Sequence, residues 1–183
     1  AGNTTTSTYS MVVSQNPVPL DGSIATATLR NTPFADGISV TAYPAPTYSV
    51  ASGALPPGVT LNSATGALTG TPTTLGTYTF ALTVSATNYY SMTTPTFTLN
   101  VEQAPVAVDS TVVPIAPVGR AYSDAVSVES FPAATFSVTA GTLPPGISLN
   151  ATTGAITGTA TEAGDYTFTV TATNIRGTRA IPL

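Results

Sequence analysis

The stretch that decides the fold lies at residues 55–66 and reads LPPGVTLNSATG; at residues 143–154 it returns as LPPGISLNATTG. Each version begins with Pro-Pro-Gly, continues through a short run in which apolar and polar residues alternate, and ends on Thr-Gly. Proline presets the backbone for a turn, and glycine supplies the positive φ that many turns need. Two tight turns on either side of a short strand are typical of an all-β chain.

The two stretches belong to a longer internal repeat, the feature to look for first in any sequence. Residues 7–80 match residues 95–168 at a constant offset of 88, with 32 identities in 74 positions and no gap. The sequence therefore predicts two copies of one domain, at 16–103 and 104–183, preceded by an N-terminal extension at 1–15.

Alternation of apolar and polar residues predicts strands within each copy, because successive side chains of a strand point to opposite faces. The inward positions of the clearest strand are Tyr78, Phe80, Leu82 and Val84 in the first copy and Tyr166, Phe168, Val170 and Ala172 in the second. Turn residues recur at the same places in both copies. About seven short strands per copy indicate two tandem immunoglobulin-like antiparallel β-sandwiches.

Tyr78 and Tyr166 each follow a Gly by two residues, and both resemble the tyrosine corner of immunoglobulin-like domains. In such a corner the Tyr hydroxyl bonds back to the chain upstream. Phe80 and Phe168 stand where antibody domains place a disulfide cysteine, so we expect an aromatic contact between the sheets instead.

Residues 55–72, followed by Gly-Thr-Tyr-Thr-Phe at 76–80, resemble the signature of the putative-Ig repeats, which are relatives of the dystroglycan-type cadherin-like modules. The resemblance covers both copies. It implies an immunoglobulin-like fold and a place in large bacterial surface or secreted proteins, where such repeats serve as spacers, stalks and adhesive modules alike.

The phase of the repeat predicts a displaced strand. The last strand of the first copy is expected to turn Phe97, Leu99 and Val101 to one face, and the repeat places Tyr9, Met11 and Val13 at the same positions. At the other end, Leu183 corresponds to Phe97. We therefore expect a free N-terminal donor strand at 7–14 and a second sandwich that lacks its last strand.

A sandwich without its last strand exposes an unpaired edge and an apolar groove. One hypothesis is that the N-terminal strand inserts into the second domain of a neighbour, giving a head-to-tail homopolymeric filament. Its architecture is similar to donor-strand exchange in pilins. The alternative is a two-repeat spacer or adhesive fragment of a large multi-repeat surface adhesin, with carbohydrate binding as an added role. Both hypotheses place the chain outside the cell or at its surface.

Composition argues against an enzyme and against a metal centre. The chain contains no Cys, His, Trp or Lys, and 12 of its 183 residues are charged. A nucleophilic Ser or Thr would lack a base, and zinc would lack its usual ligands. We expect no catalytic residue and no cofactor; calcium is the weaker candidate, through Glu102 and Asp109 near the junction of the copies.

Other partners are excluded or left open by similar reasoning. A net charge of −4 argues against nucleic acid, and no apolar run is long enough to cross a bilayer. A total of 37 Thr and 16 Ser fits an extracellular surface. Tyr89 and Tyr90, which we expect in a loop formed by an insertion after Asn88, are candidates for stacking on a sugar or for packing against a domain or subunit.

Overall fold

The structure is a computed structural model that describes residues 8–87 and 90–183. Its elements are β1 (Gln15–Asp21), β2 (Ala27–Leu29), β3 (Phe34–Gly37), β4 (Ser39–Tyr43), β5 (Thr47–Gly53), β6 (Val59–Leu61), β7 (Ala67–Gly70), β8 (Gly76–Thr87), β9 (Tyr90–Thr93), β10 (Phe97–Asp109), β11 (Ala121–Ala125), β12 (Ser127–Phe131), β13 (Thr135–Gly141), β14 (Ile147–Leu149), β15 (Ala155–Thr159), β16 (Phe168–Asn174) and β17 (Gly177–Pro182). Within these described ranges no helix is long and apolar enough to span a membrane. The all-β prediction is confirmed.

The chain divides into two units. The first comprises the described residues of 8–26, 33–70 and 78–99; the second comprises 27–32, 71–77 and 100–183. Segments 27–32 and 71–77 therefore come from the first sequence repeat but group with the second unit.

The first unit has the layers of a sandwich. One layer contains β3, β7 and β6, and the facing layer contains β5, β8 and β9 with the start of β10 beside β8. Strands β1 and β4 form a separate antiparallel pair. Apolar side chains from the two layers meet in one core, whose members are Phe34, Ile38, Tyr48, Val59, Leu68, Phe80, Leu82, Val84 and Leu99. The alternation predicted for β8 places Phe80, Leu82 and Val84 in this core.

The second unit repeats this arrangement. Its sheets are β11 with β15 and β14, β13 with β16 and β17, and the pair formed by β12 and the second half of β10. Its core is smaller and consists of Val126, Ala134, Phe136, Ile156, Val170, Ala172 and Ile181.

Strand register follows the sequence repeat residue by residue. In β1 and β4, Gln15 faces Tyr43; in β10 and β12, Gln103 faces Phe131, 88 residues later in both strands. The bulge after Val50 in β5 likewise returns after Val138 in β13. The repeat therefore encodes the pairing and its irregularities, since a bulge is specified by local sequence.

One described pairing departs from the antiparallel prediction. Strand β2 runs parallel to β10, with Ala27 opposite Asn100 and Leu29 opposite Glu102. Three residues are too few for alternation to reveal a strand, so the sequence pattern did not show β2.

The predicted N-terminal donor strand is not seen. The described residues of this segment, 8–14, form no strand, and β1 begins at Gln15. The alternating pattern of Tyr9, Met11 and Val13 predicted a strand here. A strand also needs a partner for its backbone groups, and residues 8–14 pair with no strand in the described part of the chain.

The motif LNSATG is a loop fixed by the side chain of Asn62. The Asn62 carboxamide oxygen accepts hydrogen bonds from the backbone N–H groups of Ala64 and Thr65, at 2.9 and 3.1 Å. Asn150 makes the same two bonds in the second unit, at 2.9 and 3.1 Å. Asparagine satisfies local backbone donors in this way in many turns, which explains why the loop recurs so closely.

Glycine at the end of this loop is required by conformation and by space. Gly154 has φ of 73°, and a Cβ there would lie 2.2 Å from the backbone oxygen of Val126. Gly119 has nearly the same φ, 74°, but a Cβ there would have nothing within 4 Å.

These two glycines form a matched pair for mutagenesis. We expect Gly119→Ala to lower the free energy of unfolding by about 1–2 kcal/mol, the cost of placing Ala in the left-handed region. Gly154→Ala should cost clearly more, because its Cβ also collides with fixed backbone. Urea denaturation of the full chain measures the free energy of unfolding of both variants. Equal decreases would show that the close approach of backbone at Gly154 adds nothing to the cost of the substitution.

Candidate functional site: an apolar groove in the second unit

The second unit contains a groove of about 730 Å³. Two stretches of backbone flank it, residues 110–118 on one side and residues 162–168 on the other, with Ile147 and Ile156 also in the lining. Both flanking stretches correspond to segments that lie beside β10 in the first repeat.

The first wall carries exposed apolar side chains. Val113, Ile115 and Val118 are 59%, 72% and 52% exposed. At the position of Ile115 the first repeat has Ala27, which begins β2 and pairs with β10. Residues 115–117 form no strand. The wall is therefore apolar, and unlike β2 its residues 115–117 form no strand with any described residue.

The second wall, at residues 164–167, also forms no strand. Strand β8 begins at Gly76, whereas β16 begins at Phe168, four residues after the corresponding Gly164. Residues 164–167 thus keep the sequence of a strand without forming one. A ladder needs a neighbour on which to form, and in the first repeat β10 is that neighbour.

Leu183 pairs with the first residue of β16. Phe168 and Leu183 exchange both backbone hydrogen bonds, at 2.8 and 3.1 Å. In the first unit the rings of Phe80 and Phe97 are in contact, with centroids 5.7 Å apart. Phe168 is the counterpart of Phe80, so Leu183 lies beside Phe168 as Phe97 lies beside Phe80. In the first repeat the residues that follow, Leu99 and Val101, are fully buried.

Asp124 fixes the first wall. Its carboxylate accepts hydrogen bonds from the backbone N–H of Val113 at 2.6 Å and of Ala125 at 2.8 Å. These bonds favour the charged form, so they hold the pKa of Asp124 below its usual value, the bond from Val113 having the largest effect. The Tyr122 hydroxyl also donates to the Val113 carbonyl oxygen, at 3.1 Å. Burial, followed by the nearby Asp124 charge, raises the pKa of that hydroxyl.

The residues predicted to fill a groove are solvent-exposed. Tyr9, Met11 and Val13 are 93%, 90% and 78% exposed. Their counterparts in the first repeat are Phe97, which is half-buried, and the fully buried Leu99 and Val101. The structure thus places the same apolar pattern in two opposite environments.

The aromatic candidates lie in strands or beside them. Tyr78 lies in β8 and Tyr166 just before β16, and both are half-buried; the hydrogen bond of each tyrosine corner stays a prediction. Tyr90 begins β9 and is half-buried, so the expectation that it lies in a loop is wrong. Strand β9 pairs antiparallel with β8, so the two strands form a hairpin. Tyr89 lies outside the described residues.

The carboxylates proposed for calcium have other partners. The buried side chain of Glu102 pairs with the Arg176 guanidinium, and Asp109 accepts hydrogen bonds from the backbone N–H and hydroxyl of Thr111. Among the residues that the structure describes, no three metal-ligating side chains form a cluster.

A second ion pair in this unit was missed by the sequence analysis. Both terminal nitrogens of Arg30 donate to the Glu129 carboxylate at 2.8 Å. The arginine lowers the pKa of Glu129, and the carboxylate raises the pKa of Arg30. The one signal in the sequence is that Arg30 replaces the apolar residue found at the equivalent Val118.

Acid should loosen the wall that Asp124 holds. A carboxylate whose pKa is lowered in the folded protein contributes stability above its unfolded pKa, which is lost as the pH falls through the folded value. We expect Asp124→Asn to destabilise the full chain by about 1 kcal/mol at pH 7, because one oxygen acceptor is lost. Below about pH 4 the deficit should begin to shrink, because the carboxylate of the unfolded chain is protonated there, and it should disappear once the pH has fallen through the lowered pKa of the folded protein.

Urea denaturation at pH 7 and pH 3 measures this change. The exposed Asp165, also in the groove lining, provides the control variant Asp165→Asn. A deficit for Asp124→Asn that stays constant across this range would show that the charge of Asp124 is not what holds Val113.

Comparison with known proteins identifies the repeats. A family model described as "Putative Ig domain" matches residues 1–102 and 104–181. The chain is 33% identical over 135 residues, or 68% of its length, to the "Serine-rich adhesin for platelets" of Staphylococcus aureus strain MRSA252, and it spans 9% of that protein. The same adhesin from strain MSSA476 is also 33% identical, and there the chain spans 6%.

Solved structures show the same fold at low sequence identity. The titin Ig tandem domains A164-A165 align with a TM-score of 0.55 and 14% identity, covering 94% of this chain and 96% of theirs. Sidekick-1 immunoglobulin domains 1-4 align with a TM-score of 0.59 and 14% identity, covering 92% and 48%. Together with the repeat, its register and the two sandwich cores, these matches show that the chain belongs to the putative Ig domain family.

Proposed function

We propose that the chain is a two-repeat structural module of an extracellular surface adhesin, one that separates or presents other parts of the protein and carries out no reaction. The observation that carries this proposal is the relationship over 68% of the chain to a staphylococcal adhesin. Because the chain corresponds to only 9% of that protein, the adhesin's partner is not transferred to it.

The chemistry of the surface supports a mechanical role. The 65 residues from 37 to 101 contain no charge, so their interactions with water depend on Thr, Ser and Asn side chains. Folding that rests on two apolar cores and few ion pairs should respond little to salt. Such a module suits an environment whose ionic strength the cell does not control.

Surface location is testable on intact cells. We expect an antibody against the purified chain to label unpermeabilised cells of the source organism or material shed from them. Brief protease treatment should remove the label while an intracellular marker stays protected. Labelling that requires permeabilisation would contradict the proposal.

Carbohydrate binding is the less favoured role for such a module. Tyr90 is half-buried in β9, which leaves less of its ring for stacking on a sugar than a loop position would. We expect the folded chain to bind no glycan on an array. Retention that Tyr90→Ala abolishes, without loss of stability, would instead establish a ligand-binding module.

A second candidate function is a subunit of a head-to-tail filament, formed when the N-terminal segment of one copy enters the second unit of the next. The specific observation in its favour is a groove of about 730 Å³ beside residues 115–117 and 164–167, which form no strand. A contact of this kind between different surfaces of identical molecules does not close on itself, so it propagates. Electron microscopy of the concentrated chain should then show filaments, and a uniform population of monomers would exclude this role.

A further inference from the structure

The loop between β14 and β15 contains a tripeptide that the fold does not explain. Asn150, Ala151 and Thr152 form the pattern Asn-x-Thr without Pro in the middle, which is the acceptor pattern for N-linked sugars. All three residues are exposed. A second tripeptide of this type begins at Asn3 and lies outside the described residues. Asn150 therefore begins the acceptor pattern that the described part of the chain carries.

The first repeat separates the structural part of this loop from the rest. Asn62, at the equivalent position, accepts hydrogen bonds from the backbone N–H groups two and three residues later, with the same lengths as those that Asn150 accepts. The fold therefore uses the asparagine in both loops. It does not need a hydroxyl two residues later, because the backbone of Ala64 makes the same bond as that of Thr152.

We propose that Asn150 is a glycosylation site, at which a sugar is attached to the side-chain nitrogen Nδ2. The co-substrate is an activated sugar whose anomeric carbon carries a diphosphate leaving group. A bond forms between Nδ2 and the anomeric carbon, the bond from that carbon to the phosphate oxygen breaks, and its electron pair leaves with the diphosphate. One Nδ2 proton passes to a base of the transferase. This modification goes beyond the adhesin role and does not depend on it.

The Asn150 carboxamide leaves its nitrogen available. Its oxygen accepts the two backbone hydrogen bonds of the loop, whereas Nδ2 has no hydrogen-bond partner among the described residues. A sugar on Nδ2 leaves the carbonyl oxygen unchanged as an acceptor, so both hydrogen bonds can persist in the modified protein. The fold and the modification therefore use different atoms of the same side chain.

The turn also brings Thr152 to the acceptor. The hydrogen bond from its backbone N–H to Asn150 Oδ1 measures 2.9 Å, so the residue that carries the hydroxyl is folded back onto the carboxamide. Both side chains are exposed. A transferase can therefore approach Nδ2 and the hydroxyl from solvent, without first displacing a protein group that covers them.

Peptide mass spectrometry of the chain isolated from its source organism tests this assignment. Trypsin cleaves after Arg120 and Arg176, which places Asn150 in the peptide 121–176. We expect this peptide to carry the added mass of a sugar. An amidase that removes N-linked glycans should remove the mass and convert Asn150 to Asp, whereas a sugar on a hydroxyl would resist it. An unmodified peptide would overturn the proposal.

The source of the sugar is identified in the same cells. A sugar diphosphate attached to a lipid and one attached to a nucleoside share the chemistry of the leaving group. An inhibitor of lipid-linked sugar assembly should abolish the modification of Asn150 in the first case and leave it intact in the second. Either result, with the amidase-sensitive mass present in untreated cells, supports the site.

Two substitutions separate the acceptor from the fold. Asn150→Asp keeps an oxygen that can accept both loop hydrogen bonds and removes the nucleophilic nitrogen. Thr152→Ala gives the loop the residue that the first repeat has at this position. Each should abolish the modification, while circular dichroism shows the strand content of the unmodified wild type. An added sugar that persists in either folded variant would contradict the assignment to Asn150.

The first repeat supplies a matched gain of the site. Ala64→Thr completes the pattern Asn-x-Thr at Asn62, in a loop with the same hydrogen bonds and at an exposed position. We expect the tryptic peptide 31–120 of this variant to acquire an amidase-sensitive sugar at Asn62. If Asn62 stays unmodified in cells that modify Asn150, the turn with its threonine is not what makes the acceptor, and the role assigned to Thr152 is wrong.

Discussion

A β-strand has backbone donors and acceptors on both edges, and every part of this structure depends on how those edges are paired. In the first repeat β10 lies beside β8 and also pairs with β2, so residues on both sides of it form strands. In the second repeat, residues 115–117 and 164–167 form no strand, although they correspond in position to β2 and to the start of β8.

The comparison between the repeats is informative because one chain contains both states. Registers, bulges and the asparagine-bound loops are the same in the two units, so the difference at the groove does not come from a different fold. It lies in the strand pairing: residues 27–29 pair with β10, and the corresponding residues 115–117 form no strand.

Electrostatic interactions in the second unit are few but specific. Glu102 is the buried charged residue among those the structure describes, and its partner is Arg176. Removing one member of such a pair leaves the other charge buried without compensation, which is costly. The pair of Arg30 with Glu129 is more exposed, and both terminal nitrogens of Arg30 donate to the carboxylate. Because attraction between exposed charges adds little stability, the two-point hydrogen-bond geometry contributes more to the strength of this pair than the charge does. The first pair uses Glu102, which calcium binding would have required to be free.

The sequence by itself determined the fold class, the repeat and its register, because alternation, turn residues and the Leu-Asn-x-x-Thr-Gly loop are local signals that specify local structure. It also identified Met11 and Val13 as apolar residues with strand spacing. Only the tertiary structure decided that the described residues 8–14 form no strand, that Leu183 pairs with Phe168, that β2 pairs in parallel, and that Glu102 is bound to an arginine. Each of these depends on which distant residues become neighbours, and a pattern along the chain does not contain that information.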